Sequence, residues 1–82
     1  MYEELAAATS RVIGTKQTMR ALERGGVRTV FVARDAEERV VRDLKALCQA
    51  KGIPVIIVDT MSELGKVCGI EVGAASAAIL DE

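Results

Sequence analysis

The sequence predicts an α/β domain with helices packed on both faces of a small sheet. Two short runs rich in β-branched residues, Val27 to Ala33 and Ile53 to Val58, are bounded by turn residues and read as buried strands. Between them lies a segment with apolar residues at helical spacing, and strands that alternate with helices of this length build this class of domain. The chain has 82 residues, so these elements must share one thin core.

The elements follow in order along the chain. Residues 2–10 are expected to form a short helix with Leu5 and Ala8 on a weak apolar face. Val12-Ile13 reads as a brief strand broken by Gly14, and Thr15 is a natural N-cap for a helix through about Arg24. The inner face of that helix should be Met19 and Leu22, with the stem of Gln17 alongside, and Gly25-Gly26 should end it. After the strand Val27 to Ala33, Asp35 and Glu38 have the spacing of a capping box. The helix they open carries Val40, Val41, Leu44, Leu47 and Cys48 on its apolar face and closes at Gly52. After the strand Ile53 to Val58, Thr60 and Glu63 make a second capping box for a helix through about Val67, ended by Gly69. The last segment, Ala74 to Leu80 (AASAAIL), has two readings. Alanine favours helix by propensity, but a strand buried closely between helices would also want small residues.

Composition narrows the function. Half the residues are apolar and 28% are charged, which suits a folded domain, and with one Phe, one Tyr and no Trp the core must be aliphatic. There is no His, so the commonest acid-base group is missing and neither a Ser-His nor a Cys-His nucleophile can be assembled. No phosphate loop of the GxxxxGK[ST] type is present either. An enzyme is not expected, and no catalytic residue is assigned. Cys48 and Cys68 lie twenty residues apart without a His, which removes the usual zinc spacings. Both are expected to be buried and reduced, with no metal and no cofactor. No run is long enough to cross a bilayer, and the start MYEELAAATS lacks a signal peptide's basic residues. A cytoplasmic protein without a membrane partner is expected.

The formal net charge is −1, unevenly spread: residues 11–28 carry Arg11, Lys16, Arg20, Arg24 and Arg28 against Glu23 alone, a local +4. Lys16, Arg20 and Arg24 are four apart, which on a helix makes one basic stripe. Such a stripe is either a footprint for phosphates or an ordinary solvated face. The segment Gly14-Thr15-Lys16-Gln17-Thr18 would begin this helix, where unpaired backbone N–H groups attract anions. Lys16 and Gln17 in its first turn can meet base edges, though a plain capped helix would look similar. The second segment that stands out is LGKVCGIEVG, residues 64–73. Ile70 and Val72 in it are either the entrance to a core strand or an exposed apolar surface, flanked by Gly69 and Gly73, that suits an extruded base.

Four passages together resemble a known family: the GTKQT start, VRTVFVARDAEERV, IPVIIVDTMSELGKVCGIEVG and the closing AASAAIL. They are similar, in order and spacing, to the kink-turn RNA-binding ribosomal protein superfamily of the L-seven-Ae type. The likeness is strongest to its short bacterial members encoded in ribosomal operons and covers essentially the whole chain. It implies a three-layer α-β-α sandwich with a four-stranded mixed sheet, in which AASAAIL is a strand, and a single RNA-binding domain over residues 1–82. The partner it implies is a kink-turn in ribosomal RNA or an mRNA element. A kink-turn is a sharply bent RNA with sheared G·A pairs and one nucleotide flipped out. DNA is not expected as a ligand, and the free protein is expected to be monomeric.

The resemblance assigns RNA contact to Gly14, Thr15, Lys16, Gln17 and Arg20, and it places Ile70, Glu71 and Val72 over the flipped nucleotide. Archaeal and eukaryotic members commonly carry Asn-Glu where this chain has Lys16-Gln17, and a Lys where it has Arg20. The Gln17 carbonyl can accept from guanine N1 and N2 as a carboxylate does, without the strength that charge adds. Two other functions fit the same sequence: a protein-interaction module that keeps the fold, and an RNA-recognition partner of an RNA-modifying enzyme.

Overall fold

A computed structural model describes residues 2–81. In chain order its elements are α1 (Glu3–Ala7), β1 (Arg11–Ile13), α2 (Thr15–Arg24), β2 (Val27–Ala33), α3 (Glu38–Lys51), β3 (Val55–Val58), α4 (Met61–Val67) and β4 (Ser76–Leu80). The four strands form one mixed sheet in the order β1-β4-β2-β3. β4 runs antiparallel to both β1 and β2, while β2 and β3 are parallel.

Strand alternation sends successive side chains to opposite faces, and the core divides accordingly. On one face Val30, Val32 and Ala78 meet Ala21 and Leu22 of α2 and Val41, Leu44 and Cys48 of α3. On the other, Phe31, Ala33, Ala77 and Ile79 meet Leu5 of α1, Leu64 of α4 and Cys68 just after it. The result is the α-β-α sandwich. Both cysteines are buried and carry free thiols. Burial pushes both thiols up from their ordinary pKa, as a low-dielectric surrounding disfavours the thiolate.

The alanine-rich segment is the central strand β4, with Ser76 to Ala78 fully buried between β1 and β2. Its backbone is satisfied from both sides, and its small side chains let helices approach on both faces, so tertiary context overrides helix propensity. The opposite holds for β3, expected to be buried. It is an edge strand, and Ile56 and Ile57 are 39% and 42% exposed on its two faces. The strand begins at Val55, and Pro54 lies just outside it with its carbonyl accepting from Val30 N–H.

Several local expectations also change. α1 stops at Ala7, because Leu5 is the sole buried anchor on a weak face and Ala8 is already extended. Gly14, not Thr15, is the N-cap of α2; Thr15 is the first helical residue and its hydroxyl bonds Ser76 Oγ at 2.5 Å. The inner partners of Leu22 are Thr18 and Ala21, with Met19 partly buried and Gln17 exposed. α3 starts at Glu38 after Glu37, and Asp35 Oδ1 accepts from Met61 N–H at 2.8 Å, so Asp35 serves the start of α4. Val40 turns outward, 42% exposed. At α4 the expected cap holds: Thr60 Oγ1 accepts from Glu63 N–H at 3.0 Å.

Candidate nucleic-acid interface

The register of the sheet decides what stands beside the start of α2. β1, β2 and β3 all run in one direction, so their C-terminal ends share one edge with the N-terminal end of β4. There Gly14 N–H donates to Ser76 O at 2.8 Å, and the Thr15 and Ser76 hydroxyls bond to each other. The GTKQT turn and the segment entering β4 are therefore neighbours, although more than fifty residues separate them in sequence.

Gly14 takes φ +105°, a conformation rarely open to a side chain, and its carbonyl accepts from both Thr18 N–H and Thr18 Oγ1. This orients α2 so that the amides of Thr15, Lys16 and Gln17, which precede the first intrahelical donor, open the helix. Lys16, Gln17 and Arg20 are exposed, and Gln17 Oε1 lies 3.9 Å from where a Gly14 side chain would begin. The first turn holds no acidic residue and does hold Lys16, which the helix macrodipole disfavours. A local rule broken at an exposed helix start marks a position chosen for something other than stability.

The basic cluster counted in the sequence sorts into two groups. Arg28 lies 4.0 Å from Asp81. Arg11 is committed inward, with Nη1 donating to Leu5 O and Nη2 to Cys68 O, both at 2.9 Å. Lys16, Arg20 and Arg24 have no ion-pair partner among the described residues and lie four apart along exposed α2. The stripe is thus three residues long, and Arg11 is not part of it.

Residues 69–73 fold back along α4. Ile70 N–H donates to Gly65 O and Ala74 N–H to Met61 O, both at 3.0 Å. A Cβ on Gly65 would stand 2.1 Å from Val72 O, and one on Gly73 would stand 3.2 Å from Met61 Cβ. The two glycines are where loop and helix backbones nearly touch. Ile70 consequently splits the two sequence readings, since it is partly buried against the α1/α4 core layer. Glu71 and Val72 are exposed, Val72 by 71%. The apolar surface at this loop is Val72 first and the outer part of Ile70 second.

Sequence reasoning passed over Arg11, Gly65 and Ser76. Two of them left a signal. A glycine inside a helix costs about 1 kcal/mol against alanine and asks for a packing reason. Arg11 lies two residues before Ile13 on a strand, hence on the same core-facing side. Ser76 left none, because its partner Thr15 is distant in sequence.

The chain is similar to proteins already described. A model of the ribosomal protein L7Ae/L30e/S12e/Gadd45 family matches residues 2–82. A protein of Halalkalibacterium halodurans named as an RNA-binding protein is 54% identical over 78 residues, covering 95% of each chain. Large ribosomal subunit protein eL8 of Halobacterium salinarum is 47% identical over 68 residues, 82% of this chain and 57% of that protein. Among solved structures, a 15.5kD RNA binding protein of Giardia lamblia superposes with a TM-score of 0.86 at 25% identity. The superposition covers 98% of this chain and 68% of that one.

Proposed function

The chain belongs to the ribosomal protein L7Ae/L30e/S12e/Gadd45 family, and we propose that it is a non-enzymatic RNA-binding protein that recognises and stabilises kink-turn RNA. The observation that carries this reading is that the GTKQT turn is bonded to Ser76, at the sheet edge where the loop carrying Val72 leads into β4, so that two unlike surfaces flank that edge. One is a cationic helix start at Lys16, Gln17 and Arg20, and the other is a loop that holds Val72 out in solvent. An A-form major groove is too deep and narrow for side chains, but a kink opens it at the G·A pairs. Lys16 and Gln17 would read guanine edges there, while the opening amides of α2 and the Arg20 guanidinium hold phosphates. Gly14 acts through shape, since its N–H and carbonyl are already taken by Ser76 and Thr18, and Thr15 offers only its backbone amide, since its hydroxyl is bonded to Ser76. Val72, with the outer part of Ile70 and the stem of Glu71, would cover the flipped nucleotide.

In this reading residues 1–82 act as one RNA-binding domain in the cytoplasm, on ribosomal RNA or an mRNA element. Among the described residues no helix is long and apolar enough to cross a membrane. The protein would act by population shift, binding the bent RNA and leaving the extended form unbound. The test is a gel-shift titration of one kink-turn RNA against the same RNA with Watson-Crick pairs in place of its sheared G·A pairs. Tight binding to the first and most of the affinity lost on the second is the expected result. Equal binding to both would reduce the protein to a basic surface and end the kink-turn reading.

A further inference from the structure

Arg11 is a charged residue, committed inward, that the RNA reading does not use. Its guanidinium lies where three elements converge: the end of α1, the first residue of β1 and the end of α4. One arm donates to Leu5 O and the other to Cys68 O, both at 2.9 Å. The last carbonyls of a helix are short of donors and carry partial negative charge, so a cation there is favoured. Leu5 O already accepts from Ala8 N–H at 3.3 Å, and Arg11 adds a second donor to it. A planar fork can serve two carbonyls at once with little loss of freedom, which a single ammonium does less well. Gly69 follows immediately, at φ +78°, and a side chain there would begin 3.9 Å from Arg11 Nη2. The chain then enters the loop that carries Val72.

We propose that Arg11 is a positioning residue for RNA recognition: it fixes the end of α4, and through it the path of residues 69–73, without touching phosphate itself. This rests on the reading that Val72 meets the RNA. The loop is held at its far end by the close contact of Gly73 with Met61 and in its middle by the contact of Val72 O with Gly65. Arg11 supplies the near end. A loop fixed before binding loses less freedom on binding, so its anchor contributes to affinity from a distance.

The test uses the full chain with Arg11→Lys and Arg11→Ala, at a temperature where each is folded. Without RNA, the backbone amides of residues 69–73 are followed by NMR and hydrogen exchange. With one kink-turn RNA, affinity is measured across a salt series, and Arg11→Lys is repeated in a Val72→Ala background. The expected result is displaced, faster-exchanging loop amides in both variants and affinity weakened on the order of tenfold. The salt slope stays unchanged, and little further loss appears once Val72 is truncated. Arg11→Lys keeps the charge, so it decides the matter even if Arg11→Ala does not fold. Wild-type affinity in Arg11→Lys would overturn the proposal, and a slope smaller by about 0.7–0.9 in Arg11→Ala would overturn it by making Arg11 a phosphate ligand. Unmoved loop amides would overturn it equally. If the wild-type protein binds no kink-turn RNA, the functional reading fails, and the RNA-free amides alone decide whether Arg11 sets the loop.

Discussion

Ile70 and Val72 are two positions apart and differ mainly in what lies beneath them. Ile70 packs partly against the α1/α4 layer, whereas Val72 is 71% exposed. Val72→Ala should leave the melting temperature where it is and weaken binding to kink-turn RNA by about 1–3 kcal/mol, the range for a base stacked on a side chain. Ile70→Ala should cost roughly 1–2 kcal/mol of stability, less than a fully buried truncation, and weaken binding as well. Thermal melts paired with titrations separate the two, and a Val72→Ala protein that melts early but binds normally would exchange their roles. Lys16 gives a different signature. If it contacts phosphate, Lys16→Ala reduces the salt slope by about 0.7–0.9, and if it reads a base edge, affinity falls with the slope unchanged. Intact affinity would remove it from the site. At this scale the sequence was legible where chemistry is local. The exposure of Lys16 and Arg20 follows from helical spacing, and the Thr60 cap from its four-residue signature. Arg11 could only be counted in the local charge, because both of its carbonyl partners, at Leu5 and Cys68, come from other elements.

At the scale of elements, α4 and its loop show why a glycine stands inside a seven-residue helix. Alanine at position 65 would gain about 1 kcal/mol of helix propensity. Its Cβ would stand 2.1 Å from Val72 O, a backbone atom that can yield only by moving the loop. Gly65→Ala should therefore lower the melting temperature and shift the amides of residues 69–73. It should also weaken RNA binding at least as much as Val72→Ala does, while α4 stays helical. Melting, NMR and titration of one variant check all of this, and a protein stabilised by the substitution would mean that loop and helix do not touch. The elements themselves were mostly legible. β2, α3 and α4 follow from β-branched runs, 3.6-residue periodicity and caps that the residues carry themselves. β4 was legible only through the family resemblance, because an alanine run has no face, and its place between β1 and β2 is what makes it a strand. β3 was misjudged in burial for a related reason, since an apolar run does not say whether its strand is central or at an edge.

For the whole molecule, a net charge of −1 means that general attraction to nucleic acid is weak, so in the proposed reading discrimination has to come from the shape of one sheet edge. That edge exists only when both core layers are formed: α2 is held by one and α4 with its loop by the other. At roughly 0.05–0.15 kcal/mol per residue, a domain of this length has about 4–12 kcal/mol of stability. Leu44→Ala in one layer and Leu64→Ala in the other, both fully buried residues, should each remove about 2–5 kcal/mol of it. Neither residue belongs to the interface, so the folded fraction of each variant should bind RNA as the wild type does. Linkage then makes a quantitative demand. A ligand that binds only the folded state, present at a hundred times its Kd, adds about 2.7 kcal/mol whatever the starting stability. For a domain of this size that is on the order of 10–20 °C in melting temperature. Kink-turn RNA should raise the melting temperature of wild type, Leu44→Ala and Leu64→Ala by similar amounts, and a straight duplex should raise none of them. A smaller rise confined to Leu64→Ala would mean that the loop over α4 loses its shape before the domain unfolds. A duplex that protects all three equally would show recognition by charge alone.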